Sequence, residues 1–308
     1  MVLLWSVSLC PEPCHGSGMK LVSSQRPPED AACWVCCDGG DSGGLLSTGC
    51  ACRGSGGWAH VDCLVQLATC DVERWVSCSI CRQDFTGDME VALARARWRR
   101  VQDRPEDDAE RLFVANNLAV TLQESAGDYE GSLRLLEEVL AVRRRILGDD
   151  HPDTLDSITN LALHHTETGG YEAALKLSEE VVAATRRTVG DEPAGEEAAH
   201  SIGSLAAVHN LMGNCQLAEP LHREALEIRQ RLLGSEHVDT LNSTYGLAHS
   251  ILGLGRYVEA LGMLERVASA ANKLLGAAHP TAQHFANGLQ KAQAKVSAAQ
   301  RDYRSVRK

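Results

Sequence analysis

Apolar positions recur at helical spacing from Asp108 onward, inside segments that are bounded by glycine. Four of these segments have 22 residues each, and their first residues lie 42, 44 and 42 positions apart. They are Gly127–Gly148, Gly169–Gly190, Gly213–Gly234 and Gly255–Gly276. Another helical segment precedes each one and ends near a Leu-Ala pair, at Leu118, Leu161, Leu205 and Leu247. Helix pairs at a fixed period predict an α-solenoid of repeats.

Two positions inside the glycine-bounded segments indicate how the helices pack. Three residues after the Tyr or Cys near the start of each segment stands a small residue, which allows two helices to approach closely. Seven residues further on, an apolar residue is expected to face the core. The small residues are Ser132, Ala174, Ala218 and Ala260, and the core-facing residues are Val139, Val181, Ala225 and Val267.

The connectors between the helices carry stop and start signals. Gly148 is followed by His151 and Pro152, and Gly276 is followed by His279 and Pro280. A glycine ends a helix, and a capping residue with a proline begins the next one. We therefore predict four repeats and a capping helix over residues 108–298, with a frayed tail over residues 299–308.

These repeats resemble tetratricopeptide repeats of the kinesin-light-chain type, with about one extra helical turn in each helix. The resemblance implies that extended peptides or helices bind on the concave face formed by the first helix of each pair. Asn116, Asn117 and Asn160 match asparagine positions that contact a bound backbone in the family, whereas Ser204 and Gly246 occupy the same column later. An ordinary polar helix face accounts for these asparagines equally well.

Residues 88–107 are predicted to form a connecting helix and a linker. Asp88 is expected to cap a helix that extends to Arg100, with Met89 and Leu93 at helical spacing on one face. The same helix carries a basic cluster at Arg95, Arg97, Arg99 and Arg100. A solvated face that covers neighbouring elements is the preferred interpretation, and contact with an acidic partner is the alternative.

Seven cysteines and one histidine upstream of this helix fall into four pairs. The pairs are Cys33 with Cys36, Cys50 with Cys52, His60 with Cys63, and Cys78 with Cys81. Eight sulfur and nitrogen ligands suffice for two tetrahedral Zn²⁺ sites, and the metal can stabilise a segment too short to bury a large core. Buried cysteines or a disulfide framework are the alternative, but the regular pair spacing favours metal. In a cross-braced finger the first and third pairs would share one ion, and the second and fourth pairs the other.

Residues 31–87 resemble a RING-CH zinc finger, the variant RING of certain ubiquitin ligases. The resemblance rests on the Cys-x-Cys second pair, the Arg53-Gly54-Ser55 string and the Trp58-Ala59-His60 string. A PHD finger has the same ligand order, but it usually has fewer residues before the histidine and an aromatic residue two positions before the last pair. Here seven residues separate Cys52 from His60, and Trp75 lies three residues before Cys78. Both spacings favour RING-CH.

The RING-CH resemblance implies a ubiquitin ligase that works without a covalent intermediate. Such ligases hold a ubiquitin-loaded conjugating enzyme in a reactive pose, so the protein needs no nucleophile. By resemblance, Val35 and Leu67 would contact the conjugating enzyme, and Arg82 would act as a linchpin between that enzyme and ubiquitin. The finger would thus recruit the enzyme and the repeats a protein substrate. Leu67 replaces a frequent tryptophan, which motivates the alternative of a non-catalytic, zinc-dependent scaffold.

Composition and charge limit the partners and the compartment. The chain has 308 residues and a formal net charge of −11, which argues against nucleic acid as a partner. The clustering of its 12 cysteines with metal-type spacing favours a reducing compartment, and the cytoplasm is expected, with the nucleus left open. No apolar stretch is long enough to predict a transmembrane helix. Residues 1–30 are expected to be a disordered leader.

Overall fold

The computed structural model describes residues 33, 35, 45–48, 57–68, 75–78, 82–189, 195–277 and 279–306. The chain divides into two compact units, with the boundary between His164 and His165. The described part of the amino-terminal unit contains a small two-stranded sheet and one short helix, followed by longer helices. The carboxy-terminal unit is helical throughout its described part. The fold is therefore mostly α, as the periodicity predicted.

The amino-terminal unit begins with a two-stranded antiparallel sheet. Strand β1 (Leu45–Ser47) pairs with β2 (Trp58–His60), and Leu45 lies opposite His60. Helix α1 (Val61–Ala68) follows β2 directly. A buried cluster holds these elements together, and its members include Leu45, Ala59, Leu64, Phe85, Met89 and Leu93. Met89 and Leu93 belong to α2 (Asp88–Val101), so this helix completes the core of the small module.

Helices α3 (Ala109–Glu124) and α4 (Tyr129–Leu147) form the first antiparallel pair. Each begins at an aspartate whose side chain accepts a backbone hydrogen bond, from Arg111 N to Asp108 at 2.8 Å and from Gly131 N to Asp128 at 2.9 Å. Such caps satisfy amide groups that the first helical turn leaves unpaired. Helix α5 (Pro152–Glu167) begins at the predicted proline.

The carboxy-terminal unit continues the alternation of shorter and longer helices. Its helices are α6 (Tyr171–Val189), α7 (Glu196–Leu211), α8 (Cys215–Leu233), α9 (Val238–Gly253), α10 (Tyr257–Leu275) and α11 (Pro280–Val306). Glycines at positive φ lie at the ends of these helices, such as Gly213 at 79° and Gly276 at 85°. An L side chain is strained in that backbone region, so these positions favour glycine.

The two columns predicted to pack are buried in all four repeats. Ser132, Ala174, Ala218 and Ala260 are each fully buried. Val139, Val181, Ala225 and Val267 are buried as well. The spacing of small and apolar residues therefore located the helix–helix contacts correctly.

Two boundary predictions need correction. Gly87, at a φ of 62°, precedes α2 and no side chain caps the helix, so Asp88 is its first residue rather than its cap. Helix α11 continues beyond Ala298 to Val306, where a frayed tail was expected. No strong helix breaker follows Ala298, so the backbone hydrogen bonding continues.

Candidate functional site

Three of the predicted metal ligands converge in the amino-terminal unit. The ligand atoms of Cys33, His60 and Cys63 all lie within 4.8 Å of one another. Cys33 and His60 are buried, and Cys63 is half-buried. Cys33 comes from the first predicted pair, whereas His60 and Cys63 form the third. This is the convergence that a cross-braced finger requires.

The donor set fits a zinc ion. Two thiols and an imidazole are typical ligands of a structural Zn²⁺ site, which needs four. Ligand atoms of a tetrahedral site lie about 3.6 Å apart for a sulfur and a nitrogen, given the usual Zn–S and Zn–N bond lengths. The distance from Cys63 Sγ to His60 Nδ1 is 3.8 Å, which is close to that value. The described cysteines are not in disulfide bonds, which disfavours a disulfide framework for Cys33, Cys63 and Cys78.

Local secondary structure positions these ligands. His60 ends strand β2, and Cys63 follows three residues later in the first turn of α1. The backbone N–H of His60 donates to Cys33 Sγ at 3.4 Å. A thiolate gains from such an N–H donor because the hydrogen bond offsets its negative charge.

The fourth pair begins inside a tight turn. Cys78 N donates to the Gln83 carbonyl oxygen, and Arg82 N donates to the Cys78 carbonyl oxygen, both at 2.8 Å. Arg82 has a φ of 57°, which is unusual for a residue other than glycine. Its exposed side chain is available to a partner. Cys78 itself is buried in the same cluster as Cys33.

The remaining predicted ligands lie outside the described residues. They are Cys36, Cys50, Cys52 and Cys81. The second pair belongs to the connection between β1 and β2. The first predicted site thus has three described ligands, and the second has only Cys78. The two-site pairing as a whole therefore stays a prediction.

Val35 and Leu67 lie beside the same cluster. Both side chains are half-buried and pack against its buried members. Packing under the metal site accounts for much of their burial, and the part left exposed is what a partner could touch. Their predicted contact with a conjugating enzyme is a proposal that the contacts leave open.

The predicted asparagine face of the repeats lies on α3 and α5. Asn160 Nδ2 donates to Asn116 Oδ1 at 3.1 Å, so these two side chains bridge the two helices. Asn117 is exposed. The structure thus brings Asn116 and Asn160 together and leaves Asn117 as the asparagine with the most accessible amide.

A buried polar pair next to this face was missed by the sequence analysis. His164 Nδ1 lies 2.7 Å from Gln123 Oε1, and both side chains are buried. Tyr129 packs edge-on against His164, with ring centroids 6.1 Å apart. Gln123 lies seven residues after Asn116 on the same helix, so helical periodicity could have placed both residues on one face.

In the carboxy-terminal unit, Gly246 stands at the repeat position that Asn117 and Asn160 hold earlier in the chain. The missing side chain leaves room for a large neighbouring side chain. A Cβ added to Gly246 would lie 2.5 Å from the His222 ring, and one added to Gly288 would lie 2.1 Å from the Tyr245 hydroxyl. Burial lowers the pKa of His222 to about 3, with smaller contributions from His249 and Arg229. A neutral imidazole therefore occupies the space beside Gly246 that a side chain at this position would need.

Comparison with known proteins assigns the repeats. Residues 110–187 and 196–273 match the tetratricopeptide repeat family and together make up just over half of the chain. The chain belongs to the tetratricopeptide repeat family. The predicted repeat type is confirmed, and the matched segments contain most of α3–α6 and α7–α10.

Solved structures of other tetratricopeptide repeat proteins resemble this one. A single-residue variant of a Podosopora anserina protein described as a kinesin light chain with nearly identical TPR-like repeats is 27% identical. The alignment covers 60% of this chain and 86% of that chain, with a TM-score of 0.50. BtubC (BKLC) from P. vanneervenii shares the fold at 18% identity, with coverage of 71% and 89% and a TM-score of 0.52. Kinesin-light-chain-like repeats are therefore a sound description of the helical region.

The other comparisons add no second family. No curated protein matches the sequence, and no zinc-finger family matches the amino-terminal segment. Among the described residues, no helix has both the length and the hydrophobicity that a membrane crossing requires.

Proposed function

We propose that this protein is a scaffold that binds a protein or peptide through its tetratricopeptide repeats and carries a zinc-stabilised module at its amino-terminal end. The single observation behind the proposal is the repeat array itself, in which paired helices leave a polar face on α3 and α5. Asn160 Nδ2 donates to Asn116 Oδ1, and Asn117 offers an exposed amide to a ligand backbone. An amide suits this task because it both donates and accepts hydrogen bonds.

Peptide binding tests the scaffold function. Peptides would be selected from a random library on the full-length, zinc-supplemented protein, and their affinity measured by fluorescence anisotropy. Asn117→Ala is expected to weaken binding about fivefold, since a lost hydrogen bond to a buried ligand group costs on the order of 1 kcal/mol. Asn272→Ala, at an exposed asparagine on α10, is the matched control. Equal affinities for the two variants would contradict the assignment of this face.

Metal analysis tests the zinc module. The purified chain is expected to bind two Zn²⁺ ions, and Cys63→Ser is expected to leave about one, because each closed site needs its four ligands. Cys215→Ser is the matched control, since Cys215 is a free cysteine on α8. A purified chain with fewer than two ions would overturn the two-site proposal.

A second candidate function is a RING-CH-type ubiquitin ligase, with a conjugating enzyme and ubiquitin as partners of the finger. The observation in its favour is the meeting of Cys33 with His60 and Cys63, which joins the first pair to the third. The exposed Arg82, directly after the last predicted ligand, is where a linchpin would stand. We also propose that the protein is located in the cytoplasm.

Autoubiquitylation with a panel of conjugating enzymes tests the ligase function. Activity is expected to disappear in Cys33→Ser, and to fall in Arg82→Ala while the zinc content stays at the wild-type value. Leu67→Trp is expected to raise activity, because aromatic residues contribute strongly to interfaces. Absence of activity with every enzyme, or activity that Cys33→Ser leaves unchanged, would leave the scaffold as the function.

A further inference from the structure

Helix α2 contributes to two hydrophobic cores at once. Met89 and Leu93, both fully buried, belong to the cluster that contains Cys33 and Cys78. About one and a half turns after Leu93, Trp98 packs against the cluster formed by Leu112, Ala115, Val139 and Val142 of α3 and α4. We use the name metal module for the described residues before α2, which include the candidate ligands Cys33, His60 and Cys63. The amino-terminal half of α2 thus packs with the metal module, and its carboxy-terminal half packs with the first repeat.

Polar contacts fix α2 against both ends of the α3–α4 connection. The Ser125 hydroxyl at the end of α3 donates to Glu90 Oε2 at 2.8 Å. A guanidinium nitrogen of Arg95 lies 4.0 Å from a carboxylate oxygen of Asp128, the aspartate that caps α4. Burial raises the pKa of Glu90, and the hydrogen bond from Ser125 opposes that rise. The start of α4 therefore depends on where α2 lies.

Three arginine–aromatic contacts involve α2. Arg100 lies over the Trp75 ring at 5.8 Å, Arg97 over the Phe113 ring at 5.5 Å, and Arg111 of α3 over the Trp98 ring at 5.8 Å. Trp75 belongs to the metal module and Phe113 to α3. Cation–π contacts of this kind favour one relative position of the groups they join. Two arginines of the basic cluster, Arg97 and Arg100, therefore take part in contacts inside the unit, whereas Arg95, Arg99 and Arg100 keep exposed side chains.

The metal module and the first repeat belong to one compact unit, and α2 is the element between them. A module of this size buries too little apolar surface to fold well without its metal. When the ligands separate, we expect the cluster around Cys33 and Cys78 that buries Met89 and Leu93 to loosen. The contacts of α2 with Ser125, Asp128 and Phe113 are then expected to weaken, because α2 is no longer held in place at its amino-terminal half.

We propose that the metal state of the amino-terminal module regulates the peptide-binding face of the first repeat, with α2 as the connecting element. The proposal rests on the proposed function, because it requires both the zinc site and the asparagine face. Zinc-loaded protein holds α3 and α4 in the binding arrangement. Loss of zinc loosens α3 and α4, including Asn116 and Asn117.

Hydrogen exchange on the full-length protein tests this coupling. The zinc-loaded chain would be compared with chelator-treated chain, and zinc content would be measured on the same samples. Amide exchange in α3 and α4 is expected to rise about tenfold or more on zinc removal, while exchange in α9 and α10 stays constant as an internal reference. Zinc loss that speeds exchange only before residue 88 would overturn the coupling and leave the proposed function intact. A chain that takes up no zinc would overturn the coupling and the zinc module, and the peptide-binding function would then be decided by the Asn117→Ala experiment alone.

A substitution in α2 separates the connecting role from the chelator's other effects. Leu93→Ala, in zinc-loaded protein, is expected to speed exchange in α3 and α4 in the same way as chelation. Leu264→Ala is the matched control, because Leu264 is also fully buried but lies in α10 of the carboxy-terminal unit. Unchanged exchange in α3 and α4 of Leu93→Ala would contradict the role of α2.

Discussion

Three histidines begin helices by accepting a hydrogen bond from the backbone. The Nδ1 atoms of His151, His237 and His279 accept from the N–H two residues later, at 3.1, 3.3 and 3.2 Å. The sequence predicted a cap before Pro152 and Pro280, and the structure shows that the imidazole provides it. His237 does the same before α9, where valine replaces the proline.

Replacing a capping histidine should weaken the helix it begins. His279→Ala is expected to lower the free energy of unfolding by about 1 kcal/mol, because an amide of the first turn loses its acceptor. His279→Asn is expected to retain most of the stability, since asparagine is itself a good cap. Urea unfolding of both variants checks this, and equal losses would show that the imidazole contributes by packing alone.

Buried histidines should make the carboxy-terminal unit sensitive to acid. Burial lowers the pKa of His222 to about 3, and burial with nearby His284, Lys295 and Lys291 lowers the pKa of His249 to about 4, from 6.5. Below pH 6.5 the unfolded chain binds protons that the folded chain does not, so stability is complete above pH 6.5 and falls toward pH 4. At pH 5 the loss is about 2 kcal/mol for each histidine.

Urea unfolding at pH 7.5 and pH 5 measures this loss. His222→Gln keeps an acceptor for Asn210 Nδ2, which lies 3.2 Å from His222 Nε2, and removes the titrating group. The variant is expected to lose about half of the pH-dependent change in stability that the two histidines produce. An undiminished pH dependence would assign the acid sensitivity to other groups.

At the scale of helices, two buried arginines tie the second helix of one repeat to the first helix of the next. Arg143 of α4 donates to Ser157 Oγ and to the Asp153 carbonyl oxygen, both at 2.8 Å. Arg229 of α8 donates to Ser243 Oγ and to Glu196 Oε1, also at 2.8 Å. Both arginines are 7% exposed. Satisfied donors at these positions allow a charge to remain inside a helical stack.

Removing one of these arginines should cost more than removing a surface arginine. Arg229→Met is expected to lower the free energy of unfolding by about 2 kcal/mol, because Ser243 and Glu196 lose a charged partner. Arg186→Met removes a well-exposed pair with Glu224 and should cost less than about 1 kcal/mol. Chemical denaturation of the two variants measures both losses in free energy of unfolding. Equal losses would show that the buried arginine contributes only the packing of its aliphatic stem.

The helices of the repeats were predictable because each carries its own signals. Glycines mark both ends, and the small and core-facing columns give the packing side, so α4 and α10 match the predicted segments closely. The role of α2 was not predictable, since the sequence shows only one apolar face at Met89 and Leu93. Its second contact depends on Trp98 and on arginines that lie over aromatic rings, and such long-range pairs leave no periodic pattern.

The meeting of three of the eight predicted metal ligands was predictable from the sequence, and the full ligand set stays a prediction. Pair spacing indicated that Cys33 could meet His60 and Cys63, and the structure places these three together. The arginines at Arg143 and Arg229 resembled ordinary surface charges, because burial is set by the neighbouring helices rather than by local sequence. For the same reason, the contact between Gln123 and His164 became visible only in the fold.

At the scale of the whole molecule, the net charge of −11 disfavours nucleic acid as a partner. Zinc modules that bind DNA rely on lysines and arginines that neutralise phosphates. Here three of the four arginines in the basic cluster of α2 contact Trp75, Phe113 or Asp128 of the same unit.

Zinc-loaded protein should not bind nucleic acid at ordinary concentrations. A short duplex DNA and a short single-stranded RNA, both fluorescently labelled, are expected to show no saturable anisotropy change at low salt, because an acidic chain repels phosphates. Saturable binding that weakens with salt would show that the basic cluster on α2 is exposed to a partner after all.

The regular lengths of the helices have a consequence for the history of the gene. The first helices α3, α5, α7 and α9 have 16 residues each, and the second helices α4, α6, α8 and α10 have 19 each. Unequal recombination that duplicates or deletes one such pair would preserve the helix lengths and the packing columns, because each pair carries the same kinds of residue at the same positions. Descendants of one ancestral sequence could therefore differ in repeat number while keeping the same ends, and the reach of the array would change in steps of one pair.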